Sequence, residues 1–319
     1  MVRWAARAVD LASAGNVLGA SPISVQPVAL AASGRYDDAF AATEPLPLDD
    51  GEIDNDALQR LIGRGTARLW ADDITGSYED LQRAVHIARD AGMFLPYAVA
   101  LCYLADVEYR LGKWDDALMH AELIASVARD LDQLWFLGIP HGTAALAPAN
   151  RGDWVTAERH VAAALATASM QNDAASVMWA RTAEATLATA RGDHAAALAA
   201  ANDCLAHPGI GGVLEPGVKP WRILGAEACA ATGDLTLADQ FLAGVDRDFA
   251  TPSLAKLRAR GRVAAARGDH DEAGRCFEEA ATFLAACEDP FERAQLHAAT
   301  GAHLRRRGQR RRAVAELEQ

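Results

Sequence analysis

Apolar side chains recur at helical spacing along most of the chain. In the segment 114–131 each is matched by others three or four residues away, which places them on one face of a helix. The residues of this stripe are Trp114, Ala117, Leu118, Ala121, Ile124, Ala125, Ala128 and Leu131. The strict alternation of apolar and polar residues that marks a β-strand does not occur in the sequence. The pattern therefore predicts an all-α protein.

A short phrase punctuates these helices. It consists of a glycine, a bulky residue two positions later and, in most copies, an alanine three positions after that. Glycine can adopt the left-handed conformation that ends a helix, and an aspartate directly after it can cap the next one. The predicted turn glycines are Gly34, Gly76 (in a weaker copy of the phrase), Gly112, Gly152, Gly192, Gly233, Gly268 and Gly308, and the predicted caps are Asp153, Asp193, Asp234 and Asp269.

The intervals between these glycines predict the architecture. They are 42, 36, 40, 40, 41, 35 and 40 residues, close to the length of one helix pair with its loops. We therefore predict a right-handed α-α superhelix of about eight helix-pair repeats, with residues 1–319 forming a single domain. A weak break near residues 45–56 and a long loop over residues 207–220 fall between repeats, where proline and glycine are frequent.

The repeat phrase resembles that of tetratricopeptide proteins, although its period near 40 exceeds the usual 34. A closer resemblance follows from the succession PGVKPWRILGAEACAATGDLTLAD, LRARGRVAAARGDHDEAGRCFEEA and DPFERAQLHAATGAHLRRRGQRRRAVAELEQ between Pro216 and Gln319. It resembles the tetratricopeptide-like region of large ATP-binding LuxR-type transcriptional regulators, the bacterial family that includes the maltose regulator. The resemblance is clearest over about residues 110–319. It implies an array that senses an effector or partner and governs self-association.

Other parts of that family are expected to be missing from this chain. The sequence has no Gly-x-x-x-x-Gly-Lys-Ser/Thr phosphate-binding loop, so an ATPase activity is not carried over. The chain also stops before the helix-turn-helix that reads DNA in the family. We interpret it as the helical array alone, either a fragment of a regulator or a separate short protein.

Charge and cysteine content narrow the class of partner. The formal net charge of −12 repels phosphate backbones and anionic lipid, so we expect neither direct nucleic-acid binding nor a membrane. A protein or a small-molecule effector fits better, and self-association is a further option. The five cysteines are odd in number, widely spaced and free of Cys-x-x-Cys pairs, which favours reduced thiols. Without a signal peptide or a long apolar run, the chain is expected to be cytoplasmic.

The residues that suggest chemistry have simpler explanations. His297 and His303 lie six positions apart, on different helical faces, and no metal or cofactor is expected. The three Arg-Gly-Asp sequences follow from the turn phrase. A cluster of arginines near the last turn is interpreted as a solvated helix end, with phosphate contact as the alternative: Arg305, Arg306, Arg307, Arg310, Arg311 and Arg312. No arrangement suited to catalysis is found, so we do not expect an enzyme.

The aromatic residues divide into two groups. Tyr36, Trp114 and Trp154 occupy the bulky position of the phrase and are explained by packing. Three further tryptophans, Trp135, Trp179 and Trp221, precede their turn glycines by 12 to 17 residues. This places them in first helices, which line the concave face of tetratricopeptide superhelices. We predict a groove able to stack a sugar or clamp a peptide, with packing between repeats as the alternative. Its candidate residues are Trp135, His141, Trp179, Arg181, Trp221 and Arg222.

Together these observations predict an effector-sensing, protein-interaction and oligomerisation domain of a LuxR-type ATP-dependent transcriptional regulator, without catalysis in this chain. The alternative is a free-standing tetratricopeptide scaffold that binds a peptide or protein partner.

Overall fold

The computed structural model of the protein describes residues 22–46, 53–130, 132–133, 137–210, 219–245 and 254–319. These residues form helices, turns and loops, and no β-strand is found among them. The helices pair as eight successive repeats: α1 (Pro22–Ala32) with α2 (Tyr36–Ala41), α3 (Asn55–Trp70) with α4 (Ile74–Asp90), α5 (Phe94–Arg110) with α6 (Trp114–Asp130), α7 (Gly138–Ala144) and α8 (Leu146–Arg151) with α9 (Trp154–Gln171), α10 (Ala174–Ala190) with α11 (His194–Ala206), α12 (Trp221–Thr232) with α13 (Leu235–Val245), α14 (Leu254–Ala266) with α15 (His270–Ala281), and α16 (Pro290–Arg306) with α17 (Arg310–Leu317). The predicted all-α class is confirmed.

Each first helix packs on its own second helix and on the first helix of the next repeat, as α3 does on α5 and α12 does on α14. A helix pair is too small to cover its own apolar face, so stacking of neighbours produces a continuous core. The outcome is the predicted right-handed superhelix, with the first helices inside and the second helices outside.

The first helix of the fourth repeat is divided into α7 and α8 at Ala145. Pro148 lies one turn beyond Ala144, and its ring nitrogen has no hydrogen to donate to that carbonyl. The missing hydrogen bond explains why the helix is interrupted at this point.

Seven of the eight predicted turn glycines take a left-handed conformation, with φ between 74° and 88°. They are Gly34, Gly112, Gly152, Gly192, Gly233, Gly268 and Gly308. The aspartates predicted to cap the following helices do so, each accepting a hydrogen bond from the backbone N–H three residues later: Asp153, Asp193, Asp234 and Asp269.

The prediction for the eighth glycine is wrong. Gly76 lies in the first turn of α4, where its N–H donates to the Asp73 cap. The left-handed residue between α3 and α4 is Asp72, with φ 66°. Aspartate tolerates this conformation better than most residues, so the turn forms without glycine. Asp72 follows Gly34 by 38 residues and precedes Gly112 by 40, which makes the period more regular than predicted.

The packing interpretation of the bulky position in the repeat phrase applies to Tyr36 and Trp114 but not to Trp154. Tyr36 donates a hydrogen bond to the Trp70 carbonyl, and Trp114 stacks on Tyr109 with ring centroids 5.9 Å apart. Trp154, which was also explained by packing, keeps 44% of its surface exposed. A residue at the bulky position of the repeat phrase can therefore remain exposed on the outer surface.

Side-chain sizes are matched between the two helices of a repeat. Four first helices carry a glycine where the second helix places a large side chain: Gly65 against Leu81, Gly225 against Phe241, Gly261 against Phe277 and Gly301 against Leu317. At the equivalent positions of the third to fifth repeats the first helix has a buried alanine: Ala105, Ala145 and Ala185. Their counterparts in the second helices are smaller: Ala121, Val161 and Ala201. The two helices can thus approach closely in every one of these repeats.

Gly261→Ala is expected to destabilise the protein by about 1–3 kcal/mol, because the added Cβ would lie 2.6 Å from a ring carbon of Phe277. Urea unfolding would measure the loss. Gly274→Ala, a change in the interior of α15 where the nearest atom is 4.0 Å away, provides the control and should be neutral or stabilising. Equal effects of the two substitutions would contradict the size-matching argument.

Three further sequence-based expectations bear on possible sites. The described cysteines carry free thiols: Cys102, Cys204, Cys229, Cys276 and Cys287. No group of three or more histidine, cysteine or acidic side chains that could hold a metal occurs in the described part of the chain. Among the helices described above, none has the length and apolar character needed to cross a bilayer.

Candidate functional site

The inner side of the superhelix encloses a cavity of about 300 Å³. First helices of seven successive repeats contribute to its wall: α3, α5, α8, α10, α12, α14 and α16. Apolar side chains such as Ile223, Leu224 and Phe283 make up much of the wall, and polar side chains interrupt it. A largely apolar cavity with a few fixed polar groups has the usual character of a ligand site.

A buried ion pair lies on this wall. The Lys219 ammonium, at the end of the loop before α12, is 2.8 Å from both carboxylate oxygens of Asp106 on α5. Thr143 also donates a hydrogen bond to Asp106, and the Lys219 ammonium lies 4.7 Å from the centre of the Trp179 ring. The pair joins residues 113 positions apart and holds the sixth repeat against the third.

Arg110 is the hub of a second polar cluster. Its guanidinium donates to Asp72 at 2.6 Å and to the Leu69 carbonyl at 2.9 Å, and it lies 3.5 Å from Asp289. Burial lowers the pKa of Arg110 while the Asp72 and Asp289 carboxylates raise it, and the net shift is upward. Burial raises the pKa of Asp289. The arginine therefore keeps its charge and fixes three separate segments around the cavity.

Arg258 is the hub of a third cluster. Its side chain, 4% exposed, bonds to Glu227 on α12 and to both carboxylate oxygens of Glu292 on α16, at 2.8 and 3.2 Å. Burial lowers its pKa and the two glutamates raise it, so that the net shift is upward. First helices of the sixth, seventh and eighth repeats are thereby tied together.

A segment that we name the clasp, residues 287–292, closes the superhelix on itself. Glu288 accepts hydrogen bonds from the backbone N–H and the hydroxyl of Thr75, at 2.8 and 2.6 Å. The rings of Phe291 and Trp114 meet edge to face at 5.4 Å. The clasp therefore bridges from the start of the eighth repeat to the second and third, and it forms part of the cavity wall.

Two residues of the wall retain unused hydrogen-bonding capacity. The Trp70 indole nitrogen and the Thr182 hydroxyl are buried and have no hydrogen-bond partner among the described residues. Thr182 begins a polar stripe along α10 that continues at Thr186 and Thr189, and all three line the cavity. Buried polar groups normally find partners, so unpaired ones beside a cavity point to an interaction that the protein alone does not supply.

Of the six residues predicted for the groove, the five that the structure describes do not line this cavity. Trp135 lies outside the described residues. His141 is 8% exposed and bonds to His160 of α9, with 2.9 Å between their Nδ1 atoms. Arg181 pairs with Glu184 and Asp203.

The remaining three predicted residues are packing residues. Trp179 is buried against Gly142, and Trp221 packs edge to face on Phe241 at 6.2 Å. Arg222 lies over the Trp221 ring, 4.2 Å from its centre. The positions of Trp179, Trp221 and Arg222 thus agree with packing between helices, which was the alternative to a ligand-binding groove. Trp179 and Trp221 therefore fill space between helices, whereas Trp70, which was not among the predicted residues, lines the cavity.

The sequence carries a signal for the cavity residues in the spacing of its polar positions. Thr182, Thr186 and Thr189 recur at steps of four and three residues within an alanine-rich helix, so that they share one face. Asp106 and Arg110 also lie four residues apart. Isolated polar positions at helical spacing were therefore better indicators of the inner wall than the tryptophans.

Comparisons with known proteins bear on the fold. No protein-family model matches the chain. No curated protein sequence matches it either. A solved structure, a Rap protein complexed with Competence and Sporulation Factor, is similar with a TM-score of 0.60 and 13% identity, over 93% of this chain and 94% of that one. A tetratricopeptide repeat protein from Parabacteroides merdae gives a TM-score of 0.44 and 15% identity, over 82% of this chain and 91% of that one. On the first of these likenesses, the chain has a tetratricopeptide-like fold.

Proposed function

We propose that the protein is a binding scaffold that takes a short extended peptide in its central cavity. The observation that carries the proposal is the cavity of about 300 Å³ lined by first helices of seven successive repeats. A ligand that contacts so many repeats is best elongated. Extended peptides are the ligands that concave surfaces of helical repeats accommodate.

The chemistry of the wall supports a peptide. Peptide groups alternate N–H donors and carbonyl acceptors, and hydroxyl and amide side chains can bond to either. Such side chains stand on three sides of the cavity: Asn150 on α8, Thr182, Thr186 and Thr189 on α10, and Gln295 on α16. The Rap protein of similar fold was crystallised in complex with Competence and Sporulation Factor, which supports ligand binding by a superhelix of this length.

Ion pairs make the cavity suited to selection among ligands. Lys219, Arg110 and Arg258 are each paired with carboxylates, so the wall carries charge without a large excess of either sign. A ligand that brings an unmatched charge would have to break one of these pairs. We therefore infer that neutral, polar peptides bind in preference to strongly charged ones.

The test is a thermal-shift screen with a pool of short random peptides blocked at both ends, alongside pools of sugars and nucleotides. A ligand of the folded state is expected to raise the melting temperature by about 2 °C or more. Ala255→Trp should remove the peptide response, because Ala255 lines the cavity and the indole would fill it. Ala231→Trp, at an exposed position of α12, is the matched control and should leave the response intact.

Thr182→Val separates binding from folding. The substitution replaces an unpaired buried hydroxyl with a methyl group, so stability should be unchanged or slightly higher while peptide affinity falls. A peptide response that persists in Ala255→Trp would contradict the proposal, as would a response to sugars or nucleotides alone.

The resemblance of residues 216–319 to LuxR-type regulators supports a second, finer proposal. In that setting the peptide would favour one curvature of the superhelix and so bias attached ATPase and DNA-binding domains. The coding sequence tests this: a phosphate-binding loop upstream and a helix-turn-helix downstream in the same reading frame would support it. Stop codons on both sides would contradict it.

A further inference from the structure

The outer surface of the fourth and fifth repeats exposes several apolar side chains. The second helices of these repeats, α9 and α11, present mainly apolar and small side chains to solvent. We name this surface the apolar outer face. Its exposed apolar and small members are Trp154, Val155, Ala162, Ala166, Ser169 and Met170 on α9, and Ala195, Ala196, Ala199 and Ala206 on α11; Glu158, Arg159, Gln171 and Asp203 are exposed on the same two helices.

The exposure of the larger members is high. Val155 is 79% exposed, Met170 71% and Trp154 44%. The apolar surface extends towards α6, where Met119 and Leu123 are 53% and 42% exposed. Single exposed apolar residues are ordinary, but several of them along one helix, with small alanines between, mark a candidate interaction surface.

Charge is depleted on the same face. The only aspartate, glutamate, lysine and arginine residues in α9 and α11 are Glu158, Arg159 and Asp203. Each is paired within the fold: Glu158 with Arg191 at 2.6 Å, Arg159 with Glu122 at 2.8 Å and Asp203 with Arg181 at 2.8 Å. The outer helices vary in charge, since α15 carries five charged side chains whereas α13 carries one, Asp239; those of α15 are Asp271, Glu272, Arg275, Glu278 and Glu279. Interface cores are depleted of charge and enriched in tryptophan and methionine, and this face shares those two features, although alanine is not enriched in such cores.

We propose that the apolar outer face binds a second copy of this chain, with α9 packed on its two-fold equivalent. A net charge of −12 makes two copies repel over most of their surfaces, and this face is a place where they can meet without unpaired charge. A two-fold dimer also needs only one self-complementary patch. A bilayer surface is disfavoured as the occupant, because interfacial helices are rich in lysine and arginine and α9 has one arginine.

The size of the face suits a reversible dimer. At 1.5 Å per residue, α9 with its 18 residues is about 27 Å long and α11 with its 13 residues is about 20 Å long. Strips of about one helix diameter along both give roughly 500 Å² per copy, or about 1,000 Å² for the pair. That is near the lower bound for a specific interface. The alanines allow the facing helices to approach closely, with Trp154 under Arg191 at the edge, 5.1 Å from ring centre to guanidinium.

The experiment is sedimentation of the full chain at concentrations from about 1 to about 200 µM. The wild-type protein should pass from monomer to dimer across this range. The double variant Val155→Glu and Met170→Glu should raise the dimer dissociation constant by more than about 100-fold, because it places unpaired charges in the interface. Both positions are exposed in the monomer, so the variant should fold, which circular dichroism checks.

The matched control is Thr236→Glu with Gln240→Glu. It makes the same change in net charge at two exposed positions of α13, another outer helix, and should dimerise like the wild type. A wild-type chain that stays monomeric throughout the range would overturn the proposal. So would a dimer that both double variants weaken equally or that neither weakens, since the contact would then lie elsewhere.

Discussion

Replacing Lys219 with methionine should lower the free energy of unfolding by about 3–5 kcal/mol. The substitution keeps an unbranched side chain of similar length but leaves the Asp106 carboxylate buried with Thr143 as its remaining partner. Both members of the pair are nearly inaccessible, with 7% and 6% of their side-chain surfaces exposed, so water compensates poorly for the lost ammonium. Chemical unfolding of the variant would measure the loss.

Two further variants separate the contribution of the Lys219–Asp106 ion pair from other effects of the substitution. Lys113→Met makes the same chemical change at an exposed lysine that lies over the Tyr78 ring, and should cost about 1 kcal/mol or less. Adding Asp106→Asn to Lys219→Met should recover part of the loss, because the amide oxygen still accepts the Thr143 hydrogen bond without a buried charge. If Lys219→Met and Lys113→Met proved equally mild, the pair would not be a structural tie between the third and sixth repeats.

Acidification is expected to remove about 2 kcal/mol of stability between pH 7.5 and pH 5 through the pair His141 and His160. Burial, followed by the neighbouring cations and histidine, lowers the pKa of His141 to about 4, and burial also lowers that of His160. A base with a lowered pKa binds fewer protons when folded than when unfolded. Its contribution is therefore complete above the unfolded value of 6.5 and declines as the pH falls towards 4.

The hydrogen bonds explain why both rings are neutral. Arg129 donates to Nε2 of His141, which in turn donates from Nδ1 to Nδ1 of His160, and Nε2 of His160 donates to Glu122. Arg159 also donates to Glu122. In this direction each ring nitrogen has a complementary partner, and Nη2 of Arg159 also lies 3.2 Å from Nε2 of His160. An additional proton on either ring would set two donors against each other.

His141→Gln provides the control for acid sensitivity. Urea unfolding between pH 7.5 and pH 5 should show a shallower loss of stability in the variant than in the wild type, because glutamine does not titrate. His120 titrates in the opposite sense. Its hydrogen bond to Glu108 raises its pKa, so it favours the folded state at low pH in both proteins and cancels in the comparison. Identical pH profiles would show that the histidine pair does not couple to folding.

The sequence was sufficient to predict the architecture because the turn phrase is local. A glycine that ends one helix and an aspartate that caps the next act within a few residues, as at Gly192 and Asp193, so their effect does not depend on the remainder of the chain. The wrong prediction at Gly76 also follows from the local character of the turn. Asp72 can supply the left-handed residue too, and a search restricted to glycine could not recognise it.

The cavity wall could not be predicted in the same way because its polar groups meet across long separations. Lys219 and Asp106 are 113 residues apart, and Thr75 and Glu288 are 213 apart. No repeat phrase encodes such pairs, since each occurs once. The predicted groove included Trp179 and Trp221, yet both are buried, because large apolar groups gain most from leaving water.

The clasp changes how the array should behave as a physical object. In an open solenoid each repeat contacts only its neighbours, so the terminal repeats unfold first and unfolding spreads inward. Here Glu288 and Phe291 reach back to Thr75 and Trp114 and turn the ribbon into a loop. Loss of order at the last unit then removes support from the second and third as well. Repeats that are distant in the sequence should therefore unfold together. A conformational change caused by a ligand in the cavity can also be transmitted to repeats at both ends of this closed arrangement.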